Sequence, residues 1–170
     1  CTSGPQYSWD YHPFQADDGV TEQLIRQSIV KGSAMGVLGS MRCGMFTPEM
    51  EEAMKAHYPS LRDAWNAVLE KAEAGCLFAM NMIGNTYFWL DIVRIEGKGP
   101  EDFPSKEAFG QWLRESELKC VPWFEKAFQG GMGFAGRNLY NLYNDGDDGA
   151  FEPDKAKARA IARLGAEKGY

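Results

Sequence analysis

A stretch near the C-terminal end, Gly131 to Gly169, constrains this chain most, because it reads as one complete helix-turn-helix unit. Gly131, Ala135, Leu139 and Tyr143 recur every four residues, which places them on one side of a helix. The run Asn144 to Gly149 stops that helix, and Pro153 beside Asp154 starts a second, alanine-rich one. Two helices packed over small residues follow. Such a pair buries its apolar side only against neighbours like itself.

Upstream residues supply those neighbours. The first-helix spacing laid on Gly75 returns Gly75, Ala79, Ile83-Gly84 and Tyr87. The second-helix positions Asp154, Lys157, Ala158, Ala166 and Gly169 slide back onto Ser116, Lys119, Cys120, Phe128 and Gly131, with Trp123 and Phe124 in the places of Ile161 and Ala162. A fainter copy ends at Gly75 and carries Ser60, Asp63, Ala64, Ala72 and Glu73. Ser60, Ser116 and Asp154 lead the three second helices and read as N-caps, whose side-chain oxygens accept from unpaired first-turn N–H groups.

Taken together, Gly75, Ala79, Ile83-Gly84, Tyr87, Lys119, Trp123-Phe124, Lys126-Ala127 and Gly131, then Ala135, Leu139, Tyr143, Gly146, Asp154, Lys157-Ala158, Ala166 and Gly169, resemble the Sel1-like repeat family, relatives of the tetratricopeptide repeats. The resemblance covers about Ala34 to Tyr170, most strongly from Ala72 onward. It implies an all-α fold in which antiparallel helix pairs stack as a short solenoid over residues 21–170. Clear repeats lie at about 75–131 and 131–169, and a weak one at about 30–75. Two features depart from the family pattern. Tyr140 stands where a glycine usually allows close helix contact. The interval from Gly75 to Gly131 is 56 residues against 38 from Gly131 to Gly169, which marks an insertion at 96–115.

With 44% apolar residues, the 170-residue chain can bury one sizeable core. Its net charge of −6 argues against a nucleic-acid surface, which needs clustered Lys and Arg. The most apolar run, Cys76 to Val93, carries Asn81, Asn85, Thr86 and Asp91, whose polar groups are costly in lipid, so it does not read as a membrane span. Membrane attachment enters only through Cys1. A start of Cys1, Thr2, Ser3, Gly4 and Pro5 looks like a bacterial lipoprotein after signal-peptide removal, with a lipidated cysteine on a polar tether. That start implies a periplasmic or outer-membrane-anchored protein; if Cys1 is an arbitrary beginning, a cytoplasmic location stays open.

Residues 1–20 then form a tether and an aromatic arm. Tyr7, Trp9, Tyr11, His12 and Phe14 have no helical period and read as an extended segment, packed on the first helices or anchoring a partner. Thr21 caps a helix through about Lys31, ended by Gly32, and a second runs from Ala34 to about Cys43 with Met35 and Met41 as core filler. Thr47-Pro48 opens a helix to about His57 with Glu49, Glu51 and Glu52 in its first turn, and Ser60 starts one to Ala74. A long helix is expected from about Leu77 to Ile95, with its partner beginning near Ser116. Between them, Gly97, Gly99, Pro100 and Pro104 break the chain before a short helix capped by Ser105, whose Phe109 and Trp112 either cover the core or contact a partner.

Chemistry-bearing patterns are few. His12 and His57 lack metal-ligand spacing to the cysteines and read as surface or satisfied histidines, so no metal or cofactor is assigned. Asn144, Asp145, Asp147, Asp148 and Gly149 suggest a calcium loop, but Gly146 would occupy the third ligand position and Lys155 the twelfth. That run reads instead as a solvated acidic turn. In the stacked arrangement that the resemblance implies, Cys43 and Cys120 lie at one edge and Cys76 at the other. A Cys43–Cys120 bridge is the allowed pairing, and three buried free thiols are the default.

The tetratricopeptide-like arrangement also implies that first helices line a concave face on which a partner lies. Offsets of six and ten from the leading glycines give Asn81 and Asn85 in one repeat and Arg137 and Asn141 in the next, an exposed polar ladder. The expected function is therefore binding of another protein without catalysis. Because the family includes envelope inhibitors of type VI secreted phospholipase toxins, the resemblance implies most specifically an immunity protein that occludes a toxin. An adaptor in envelope assembly or signalling, and an enzyme acting on cell-wall-related substrates, are the alternatives.

Overall fold

The computed structural model describes residues 18–146 and 151–170, and these are helical throughout their regular parts, with no strand among them. Cys1, His12 and the expected aromatic arm lie outside the described residues, as does the middle of the acidic turn. Ten α-helices follow in order: α1 Asp18–Val30, α2 Ala34–Arg42, α3 Pro48–Lys55, α4 Leu61–Glu73, α5 Leu77–Phe88, α6 Ile92–Glu96, α7 Lys106–Leu118, α8 Cys120–Gln129, α9 Gly133–Asp145 and α10 Lys155–Glu167. A single 3₁₀ turn, Pro100–Asp102, precedes α7.

The start signals work as local chemistry requires. Ser33, Thr47, Ser60, Ser105 and Asp154 each sit just outside a helix and accept from a first-turn backbone N–H. The α1 helix begins before Thr21, so Thr21 lies inside it rather than capping it. Glycines in the left-handed region, among them Gly32 at φ +83°, Gly75 at +98° and Gly131 at +114°, end helices.

Packing runs in chain order: α2 on α4, α4 on α5, α5 on α8, α8 on α9 and α9 on α10, with α2 also against α5. Two apolar clusters result. One gathers Val37, Met50, Met54, Trp65, Val68, Ile83 and Ile92; the other gathers Cys120, Phe124, Phe128, Leu139 and Leu142. Met80 and Tyr87 of α5 pack against both, so α5 is the wall the two share. Close approach depends on missing side chains. A Cβ on Gly84 would lie 2.5 Å from the Phe124 ring, and one on Gly136 would lie 2.4 Å from the Phe128 ring. Gly136 thus does for α9 what Gly84 does for α5, and Tyr140, 37% exposed, takes no part in that contact.

Two further expected boundaries are corrected. The long helix from Leu77 to Ile95 is broken: Leu90 sits at φ +57°, and α6 starts afresh at Ile92. The reason is rotational. At about 100° per residue, an unbroken helix would carry Ile92 onto the side that holds Asn81 and Asn85. The left-handed residue instead turns Ile92 and Ile95 into the core, where they are 1% and 5% exposed. Ser116 is not an N-cap. It is buried inside α7, which continues to Leu118 before α8 begins at Cys120. Nothing before Pro122 stops α7, whereas Pro122 has no N–H to give the Leu118 carbonyl, which fixes the break there. The insertion aromatics pack chiefly on one another: Phe103 lies 5.3 Å from both Phe109 and Trp112, and Lys98 sits over Trp112.

Candidate functional site

Side chains of α5 and α9, which both pack on α8, meet through three amides. Asn138 Nδ2 donates to Asn81 Oδ1 at 3.4 Å and to Asn85 Oδ1 at 3.3 Å. Asn81, Asn85 and Asn138 are all half-buried, Arg137 is half-buried beside them, and Asn141 is exposed one turn further along α9. All four residues of the expected ladder therefore belong to this pair of helices. The rung itself differs from expectation: Asn138, which the offsets of six and ten passed over, makes the cross-helix bonds. Asn138 is the counterpart of Met82, so comparing the two repeats for identity could not reveal it.

Aromatic residues flank the amides. Phe78 is 69% exposed and Phe134 is 48% exposed, and each is the third residue after its repeat's leading glycine, Gly75 or Gly131. Phe78, Asn81, Asn85 and Trp89 share one side of α5 by helical spacing, as do Phe134, Arg137, Asn138 and Asn141 on α9. This recurrence was available in the sequence as an equal offset. Cys76 and Met132 precede the two helices without a side-chain cap bond, so both positive helix ends lie at the phenylalanine end of the face. At the other end Trp89, 54% exposed, lies under Arg42, whose guanidinium is 4.2 Å from its ring and 3.6 Å from Asp91. Burial raises the Asp91 carboxyl above its usual value, against the pull of Arg42.

Other candidate groups are tied to local structure. His57 holds the Val30 carbonyl at 2.9 Å and the Tyr58 hydroxyl donates to the Gly32 carbonyl at 2.8 Å, so the end of α3 clamps the α1–α2 turn. Lys155 Nζ donates to both the Asn144 carbonyl and, at 3.2 Å, the Asn144 side-chain oxygen, which closes one side of the acidic turn. Among the described residues no group of three His, Cys, Asp or Glu side chains could hold a metal ion, and no helix is long and apolar enough to cross a membrane.

The cysteines depart from the default expectation in burial but not in pairing. Cys43, Cys76 and Cys120 are free, so no Cys43–Cys120 bridge forms, and only Cys120 is buried. Cys43 follows the end of α2 and Cys76 precedes α5, both on turns that no later helix covers. Burial, aided by the Glu117 charge, pushes the Cys120 thiol up to about 12, so it stays protonated.

Comparison of the chain with family models, with curated proteins and with solved structures returned no match.

Proposed function

We propose that this protein is a short Sel1-like solenoid whose α5/α9 face binds another protein, and that it acts without chemistry of its own. The order of packing, in which α2, α4, α5, α8, α9 and α10 rest on one another in succession, supports the solenoid reading. One observation carries the binding reading: two helices joined by an amide cluster each carry a large exposed aromatic on the same side as their amides, where a merely solvated face would be dominated by charged groups. Asparagine side chains supply both donors and acceptors to a partner backbone.

Most specifically, the partner is a secreted bacterial toxin such as a type VI phospholipase effector, which the protein occludes in the periplasm. Quantitative affinity capture from the source organism's extract tests this reading, with wild type and the Asn85→Arg and Asn141→Arg variants as parallel baits. The expected result is one dominant protein at near-equal stoichiometry, a lipase or other toxin, whose recovery falls at least tenfold with either folded variant. Equal recovery by all three baits would remove the face, and a spread of envelope proteins would replace the inhibitor with an adaptor.

A further inference from the structure

The side of α5 turned away from its asparagines carries a different chemistry. Tyr87 stands two residues past Asn85, about 200° further round the helix, and the Lys119 ammonium lies over its ring at 5.8 Å. Lys119, Trp123 and Lys126 follow at i, i+4 and i+7 along one stripe of α8, and the Lys126 ammonium lies over the Trp123 ring at 4.9 Å. Both lysines are exposed, while Tyr87 and Trp123 are half-buried against the first apolar cluster. Other lysines that lie over rings are already engaged: Lys98 with Glu96 at 2.9 Å, Lys157 with Asp154 at 3.8 Å and Lys168 with the Gln129 carbonyl at 3.0 Å. Among the described residues, the Lys119 and Lys126 ammoniums meet no carboxylate and no hydrogen-bond acceptor. The carboxylates closest to them in sequence serve other groups, since Glu125 lies by the Tyr143 hydroxyl and Glu117 is buried beside Cys120.

A chain of net charge −6 thus keeps two unneutralised cations on one stripe, each held over an aromatic face. The ring attracts the ammonium through its quadrupole without cancelling the charge, and it narrows the freedom of a long side chain, so less is lost when an anion docks. From Lys119 to Lys126 the helix rises about 10.5 Å, which an extended chain spans in about three residues, at roughly 3.3 Å each. We infer that this stripe is a docking surface for an acidic segment of a partner protein, whose carboxylates, about three positions apart, meet Lys119 and Lys126. Charge complementarity selects such an occupant. A narrow segment meets the stripe alone, whereas a broad anionic surface such as a membrane would also face the negative charge of the whole molecule. The stripe is separate from the α5/α9 face, and its assignment does not depend on that face binding anything.

Titration of the isotope-labelled protein with capped hexaglutamate tests it, read from the tryptophan indole N–H signals in proton–nitrogen correlation spectra. Capped hexalysine and phosphatidylglycerol vesicles serve as comparison ligands. The Trp123 signal should move saturably with hexaglutamate and stay in place with hexalysine or vesicles, while Trp89, exposed on the asparagine side of α5, stays in place throughout. The Lys119→Gln/Lys126→Gln double variant should bind hexaglutamate at least fivefold more weakly. Lys31→Gln/Lys71→Gln removes the same amount of charge elsewhere and should bind within twofold of wild type. All four lysines are exposed, so both double variants are expected to melt within a few degrees of wild type, which circular dichroism verifies. No Trp123 shift, an equal shift with hexalysine, or equal weakening in both double variants would overturn the inference. Binding to vesicles without binding to hexaglutamate would overturn it in favour of a membrane.

Discussion

At the scale of single residues, the fold depends on where side chains are absent. Gly84 is buried with Phe124 against it, so Gly84→Ala drives a methyl into a ring that has no free space and should destabilise by about 1–3 kcal/mol. Gly165 is also helical and buried, but the nearest atom to its would-be Cβ is Phe128 Cζ at 3.9 Å. Gly165→Ala should therefore stabilise by about 0.5–1 kcal/mol through reduced chain entropy. Thermal or denaturant melts of the two variants should move in opposite directions. The thiols give a second test. Native protein treated with iodoacetamide at pH 8 should label Cys43 and Cys76 and spare Cys120 until denaturant is added, as read by peptide mapping. Residue-level legibility in the sequence was uneven for a physical reason. Caps such as Ser60 and Ser105 act on their own first turn and can be read locally, whereas Gly136 matters only because Phe128 arrives from another helix.

At the scale of elements, most helices were readable, but the start of α1, the break after α5 and the start of α8 were not. Ser116 resembled the leader of a second helix by alignment with Asp154, yet no breaker precedes it, and only Pro122 interrupts the backbone. The break at Leu90 was hidden because a left-handed leucine has no sequence signature; it follows from the need to bury Ile92 and Ile95. An ion-pair cluster adds to that burial in tying down α6: Glu96 meets Arg62 of α4 at 3.2 Å and Lys98 at 2.9 Å. Burial opposes the Glu96 charge, but those two cations hold its carboxyl below the usual 4.5. A depressed folded value means that the stabilisation is complete above the unfolded value and is lost as pH falls through the folded one. Glu96→Gln should therefore be less stable than wild type at pH 7, by less than about 1 kcal/mol as for solvent-accessible pairs. The gap should stay constant down to about pH 5 and close in more acid solution, as denaturant midpoints at several pH values would show.

At the scale of the whole molecule, α5 couples two cores. Ala79 and Ile83 pack into the first cluster while Phe88 packs into the second, with Phe124 of α8 fully buried against the same helix. Wild-type unfolding should be cooperative, with far-ultraviolet circular dichroism and tryptophan fluorescence giving coincident denaturant transitions. Phe124→Ala, expected to cost about 3–5 kcal/mol, should separate them, because it empties the contact that joins the clusters. The all-helical architecture was legible from periodicity, since small residues at fixed offsets in successive helices permit little else. The proposed binding face was only half legible: Asn81, Asn85, Arg137 and Asn141 follow from offsets within a repeat, but the Asn138 bridge exists only between repeats.

Side-chain footprinting of the purified complex with the captured partner tests the central claim most directly, that the α5/α9 face is where a partner protein binds. Hydroxyl-radical oxidation of Phe78 and Phe134 should fall at least fivefold on complex formation, while Leu24, exposed on α1, keeps its rate. Unchanged oxidation of Phe78 and Phe134 with protection of Leu24 instead would contradict it.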